Sequence, residues 1–218
     1  MKKAVFGLTL VLMGFLVAPV FAADAASKPR FVKDVHYFEL IEPQPVQTGD
    51  KIEVLEMFWY GCPHCYHIEP LIEKWLKTKP ENAAFVRLPA AWSQPAWRFH
   101  ARVYYTFEAL GVLDKLHREF FEVIHKRKNS ILKLEQLVPF AARHGIDQQK
   151  LLDAYDSFAV DSKVRNSIAV SEKSGANGVP TFIIDGRYRA TPTSAGGYAQ
   201  VFQLINELVE KAASERKK

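Results

Sequence analysis

A chain of 218 residues, 48% of them hydrophobic, is long enough to bury a sizeable core without disulfide staples. Its formal net charge of +5 gives weak steering at best, and no basic stripe is interleaved with exposed aromatics, which excludes a nucleic-acid surface. Its two cysteines, Cys62 and Cys65, exclude a disulfide-braced scaffold, because a bond closing so short a loop removes little entropy from the unfolded chain.

The chain opens on Lys2 and Lys3, an apolar run over residues 4–20 and a first acid at Asp24, the pattern of a secretory signal peptide over residues 1–22. Val20 and Ala22 are small enough for the two subsites that signal peptidase reads, which puts the cut after Ala22, with Ala23 as the alternative. The run is at the short limit for spanning a bilayer. Cleavage removes two lysines and lowers the net charge from +5 to +3. Lys126, Arg127 and Lys128 read as solvating a helix end, and the closing Arg216, Lys217 and Lys218 as a frayed, soluble tail.

Strands are predicted over residues 35–40 and 51–59, separated by a turn containing Pro43, Pro45 and Gly49. The second is apolar on both faces, which predicts a central buried strand, and it runs straight into Gly61, Cys62, Pro63, His64 and Cys65. A helix is predicted from Pro63 to about residue 77, interrupted and kinked at Pro70, then a short strand over 84–88. Helical periodicity follows over 95–110, 113–126, 132–144, 147–158 and 161–174, punctuated by Gly111, Asn129, Gly145 and Gly175. Strands return over 181–184 and 188–190, joined by the hairpin signal Asp185-Gly186, and a last helix is predicted over 197–212. The reading is an α/β domain, residues 23–92 and 176–218, split by an all-helical insertion over 93–175. Trp92, Trp97, Phe99, Tyr104, Tyr105, Phe107, Phe120 and Phe121 sit at helical spacing, mostly as core of that insertion, with a minority lining a groove for unfolded substrates.

A strand that delivers Cys-x-x-Cys to the first turn of a helix sets two sulfurs on one helical face, close enough to form and break a bond. Cys62 is expected at the exposed helix end, where unpaired N–H groups and the helix dipole favour a thiolate. Pro63 suits the first helical position, since its missing N–H would have no partner there. His64 adds a donor or a positive charge, so helix end and His64 both lower the Cys62 pKa. A thiolate stabilised in the reduced protein makes the disulfide a stronger oxidant. Only depression below ambient pH counts, at about 1.4 kcal/mol or roughly 30 mV per unit, so about three such units shift a couple by on the order of 90 mV. A zinc site would have to wrap Cys62, His64, Cys65 and His67 around one short turn without a second cysteine pair. Covalent c-type haem needs His directly after the second cysteine, where Tyr66 stands. Glu56 alternates with Val54 and Phe58 on the buried strand, which predicts a carboxylate with a raised pKa unless it reaches water or a Lys at the sheet edge.

The stretch Glu56, Met57, Phe58, Trp59, Tyr60, Gly61, Cys62, Pro63, His64, Cys65, Tyr66, together with Gly178, Val179, Pro180, Thr181 and Phe182, resembles the DsbA family of periplasmic dithiol oxidases, in the thioredoxin superfamily. The resemblance implies an α/β thioredoxin fold with an inserted all-helical domain, with Cys62 as the exposed nucleophile, Cys65 as the buried resolving thiol and His64 as stabiliser of the Cys62 thiolate. It implies a cis Val179–Pro180 bond against the site, with the Val179 backbone pairing with a substrate strand, and a role for Glu56 as proton acceptor or charge modulator for Cys65. Glu69 matches a family acid but lies one turn along a helix face that reads as exposed and solvated.

The activity implied is a periplasmic thiol:disulfide oxidoreductase that donates the Cys62–Cys65 disulfide to folding exported proteins. A quinone-linked membrane oxidase of the DsbB type would reoxidise it. No cofactor beyond the cysteine pair and no metal is expected, nor membrane insertion, and the chain reads as a monomer. The rivals are a reductase or isomerase on the same fold, against which His64 and the lack of a separate dimerisation domain stand, and a metal-binding or chaperone module, which stoichiometric zinc or copper would favour.

Overall fold

The apolar run Ile52–Phe58 (β2) is buried at every position, including Glu53 and Glu56, because it is an interior strand of a five-stranded sheet, one place from the edge rather than at the expected centre, and is covered on both faces. The computed structural model describes residues 30–217. The signal peptide expected over residues 1–22 lies outside the described residues.

From Phe31 onward the elements run β1 (Tyr37–Glu39), β2, α1 (Pro63–Leu76), β3 (Ala83–Pro89), α2 (Pro95–Ala109), α3 (Leu113–His125), α4 (Leu134–Arg143), α5 (Gln148–Tyr155) and α6 (Phe158–Lys173). They continue with β4 (Thr181–Ile184), β5 (Tyr188–Ala190), α7 (Pro192–Ala195) and α8 (Tyr198–Arg216). The strand order is β1-β5-β4-β2-β3. The β2–β3 pair is parallel, and the others are antiparallel.

One face of the sheet, from Val54, Phe182 and Ile184, packs on Ile68, Ile72 and Trp75 of α1 and on Leu204, Ile205 and Leu208 of α8. The opposite face, Leu55, Met57, Leu88 and Ile183, meets Trp97 and Val170 from α2 and α6. A third cluster joins Phe58, Tyr60, Cys62 and Cys65 to the aromatic interior of α2–α4, with Tyr104, Phe107, Phe120, Phe121 and Phe140 buried. The cysteines therefore sit where the end of β2 meets the helical layer.

The structure departs from the sequence reading at identifiable points. Val35 and His36 are taken up by a turn on the Val32 carbonyl, which shortens the first strand. The fifth inserted helix starts at Phe158, because the Ser157 hydroxyl accepts from the Val160 N–H at 3.2 Å and caps it. Helix α1 runs unbroken through Pro70, which lies on its exposed side. Helix α7 was missed. It is one turn, held by reciprocal Thr191 and Ser194 caps. The tail is not frayed through Arg216: α8 continues to that residue, whose guanidinium pairs with the buried Asp185 and donates to the Gly49 carbonyl at 3.1 Å.

Candidate active site

The last residue of β2, Phe58, hands the chain to Trp59, Tyr60 and Gly61, and the Cys62 N–H donates to the Trp59 carbonyl at 2.9 Å. A Cβ on Gly61 would come within 2.4 Å of the Trp59 indole, so only glycine lets that ring fold back, where it stacks on Trp97 at 4.4 Å. Cys62 is the N-cap of α1: its backbone is extended, its sulfur accepts from the Cys65 N–H at 3.4 Å, and Pro63 occupies the first turn. Such a sulfur stands in for the Ser or Asp oxygen that ordinarily satisfies these groups. Both thiols are free.

Cys62 is not the open thiol that the helix end suggested. It is 7% exposed, because the turn at Val179 folds over it and the Val179 carbonyl accepts from its thiol at 3.4 Å. Its pKa is lowered from 9.0 to about 6. The largest cause is the hydrogen bond from the Cys65 thiol. Burial opposes it, and the Cys65 N–H, the His64 N–H and, last, the His64 charge add to it. The helix start thus outweighs the imidazole, whose Nδ1 is paired with the Tyr198 hydroxyl at 2.7 Å. Cys65 is fully buried, and its thiol is pushed well above the ordinary range by burial, by the Cys62 sulfur and by Glu56. The Val179–Pro180 bond is cis. Both residues line an open cleft of about 760 Å³, with His64, Thr193, Gly197 and Tyr198.

Beneath the cysteines lies a buried charge network that sequence reasoning saw in part. Glu56 has no exposure, and its carboxyl is raised to about 8 by burial and by the neighbouring Glu69. It reaches no edge lysine: its partner is Arg87 of β3, Nε to Oε2 at 3.3 Å, off line for a hydrogen bond. Glu69, read as a solvated surface acid, is 3% exposed. The α1 face that carries it turns inward, so it pairs with Arg87 at 2.8 Å and accepts from His117 Nε2 at 3.3 Å. Burial would raise its pKa, but the His117 hydrogen bond and the Arg87 charge hold it below the ordinary carboxylate value.

His117 and His125 of α3 were missed. His117 Nδ1 lies 2.9 Å from the Tyr60 hydroxyl, and His125 Nε2 lies 2.7 Å from the Tyr60 carbonyl. The signal was present for His117, which shares an apolar stripe with Leu113, Leu116, Phe120, Phe121 and Ile124, a place where an imidazole needs polar partners. Among the described residues, no three His, Cys, Asp or Glu side chains come together as a metal site, and no helix is long and apolar enough to cross a membrane.

The family model described as the DSBA-like thioredoxin domain matches residues 86–208. The thiol:disulfide interchange protein DsbA of Pseudomonas aeruginosa is 36% identical over 209 residues, covering 96% of this chain and 99% of that protein. The protein of that name from Burkholderia cepacia is 35% identical over 218 residues, covering 99% of this chain and all of the other. The crystal structure of Pseudomonas aeruginosa DsbA superposes with a TM-score of 0.81 at 38% identity, over 86% of this chain and 97% of that one. The Xylella fastidiosa oxidoreductase DsbA gives 0.75 at 26%, over 82% and 96%. The fold is α/β, a thioredoxin fold carrying a helical insertion, and the chain belongs to the DsbA-like thioredoxin-domain family.

Proposed function

We propose that the chain is a thiol:disulfide oxidoreductase of the periplasm that donates the Cys62–Cys65 disulfide to exported proteins as they fold. The observation that carries this reading is the asymmetry of the pair: Cys62 with a pKa of about 6 at a helix start, and Cys65 buried and pushed far up. Attack on a disulfide depends on the leaving thiol and on access. A substrate thiolate attacks the Cys62 sulfur, the Cys62–Cys65 bond breaks, and the electron pair leaves on Cys65. That buried sulfur takes a proton, for which protonated Glu56 is a buried acid in charge contact with it. A second substrate thiolate then attacks the substrate sulfur of the mixed disulfide, and Cys62 leaves as a stable thiolate. The substrate gains one disulfide, and the protein is left as dithiol.

In this reading Pro63 and His64 shape the helix start, and the Val179 carbonyl and Pro180 bound the cleft that receives the substrate strand. The thioredoxin-like part comprises residues 23–92 and 176–218, and residues 93–175 are the insertion. Export is directed by residues 1–22, which are then cleaved. Reoxidation passes both electrons to a quinone-linked membrane oxidase, and Glu56, once it has lost its own proton to water, accepts the Cys65 proton.

The test is alkylation of the reduced protein with iodoacetamide across pH, read by peptide mass. Cys62 should be modified with a midpoint near 6 while Cys65 stays unmodified. Equal reactivity of the two cysteines, with a midpoint in the ordinary thiol range, would contradict the assignment.

A further inference from the structure

Two carboxylates, Glu56 and Glu69, face one guanidinium, Arg87, all three largely shut off from water. Such a group is electrically balanced with one proton on the carboxylate pair, because like charges this close do not both ionise freely. The partners of the two carboxylates bear on where that proton goes. A carboxylate only accepts hydrogen bonds, so His117 Nε2, 3.3 Å from Glu69 Oε1, carries the hydrogen in the ion-paired state. Burial keeps the imidazole neutral, which leaves Nδ1 an acceptor for the Tyr60 O–H at 2.9 Å. The chain therefore runs from the Tyr60 hydroxyl through His117 to Glu69, whose second oxygen accepts from Arg87 at 2.8 Å. Glu69 receives two donors from this network. Glu56 has only the off-line approach of Arg87 Nε at 3.3 Å.

We propose that His117 is a positioning residue for the disulfide chemistry: by donating to Glu69 it keeps that carboxylate ionised and leaves the shared proton on Glu56, beside the cysteine pair. The inference rests on the reading of Glu56 as the proton partner of Cys65. It adds a residue from the helical insertion, 48 positions from Glu69 in sequence, that decides the protonation of a group on β2. The titratable groups facing this cluster are Glu69 and Glu73 with Cys62 and Cys65 from α1 and its cap, Arg87 from β3, Tyr60 from the turn after β2, and Tyr104 from α2. None of them besides Arg87 and His117 donates to either carboxylate of the pair.

The experiment is a carboxyl-carbon NMR titration of the reduced full chain, ¹³C-labelled at Glu, in wild type, His117→Asn and His117→Gln, with Glu56→Gln to assign its resonance. Asn keeps a polar group near Tyr60 but falls short of Glu69, and Gln extends an amide N–H to the Nε2 position. In His117→Asn the Glu56 titration should fall from about 8 by on the order of one pH unit, and that of Glu69 should rise. His117→Gln should restore the wild-type order. An unchanged Glu56 titration in a folded Asn variant would overturn the inference while leaving the Glu56 reading intact. Glu56 titrating in the ordinary carboxylate range in wild type would overturn both. Thermal unfolding identifies a variant that loses the fold, and His117→Leu, which suits the same apolar stripe, then takes its place.

Discussion

The Cys62 sulfur gathers the Cys65 thiol, two backbone N–H groups and the His64 charge, and this has a consequence for stability as well as for reactivity. Its folded pKa is depressed, so the stabilisation it brings is fully present above its ordinary value of 9.0 and is lost as pH falls through about 6. Near neutral pH only the last unit acts, about 1.4 kcal/mol or roughly 30 mV, so the three-unit depression does not translate into its full redox equivalent there. The reduced protein should therefore melt increasingly above the oxidised one as pH rises from about 6 to 9, and calorimetry of both forms checks it; a difference that does not change with pH would contradict it. Glu56 has the opposite sign. Its folded pKa is raised from 4.5 to about 8, so stability present below 4.5 is lost as pH climbs to 8. Glu56→Gln should stabilise the reduced protein at neutral pH by about 1 to 3 kcal/mol, an advantage that fades in acid. Urea unfolding at two pH values measures it, and a destabilised variant at neutral pH would show that Arg87 depends on the Glu56 charge.

At the scale of elements, local signals and long-range contacts divide what could be read in advance. The strands at 181–184 and 188–190 coincide with β4 and β5, because Asp185 and Gly186 both take positive φ and close the hairpin. Gly186 also lies against a neighbour: a Cβ there would stand 2.0 Å from the Gln44 carbonyl oxygen, at φ +62°. Gly186→Ala should accordingly cost more than about 2 kcal/mol in denaturant unfolding, and a loss under half of that would mean that the 44–186 contact yields easily. Glu69 was misread for the converse reason. Periodicity places it on α1, but whether that face meets water depends on β3 and α3, which lie far along the chain. Tyr198 and His117 entered the site by the same route, through partners that only the fold brings near.

For the whole molecule, the buried strand β2, though not its place beside the edge strand, the Cys-x-x-Cys turn and the helical insertion were legible because each is a local pattern in the chain. The polar wiring between them was not. His117 and His125, both on α3, grip Tyr60 through its hydroxyl and its carbonyl, so the turn that carries Cys62 is held as much by the helical layer as by the sheet. Fold and family follow from the whole chain, whereas the direction of net chemistry rests on the balance between dithiol and disulfide. The most direct measurement is the equilibrium of the Cys62–Cys65 pair in glutathione redox buffers at neutral pH, quenched by alkylation and read by mass. A midpoint potential clearly above the roughly −270 mV of thioredoxin is expected of a disulfide donor. A potential at or below that value, with Cys62 titrating as an ordinary thiol, would contradict the oxidase account and leave a reductase.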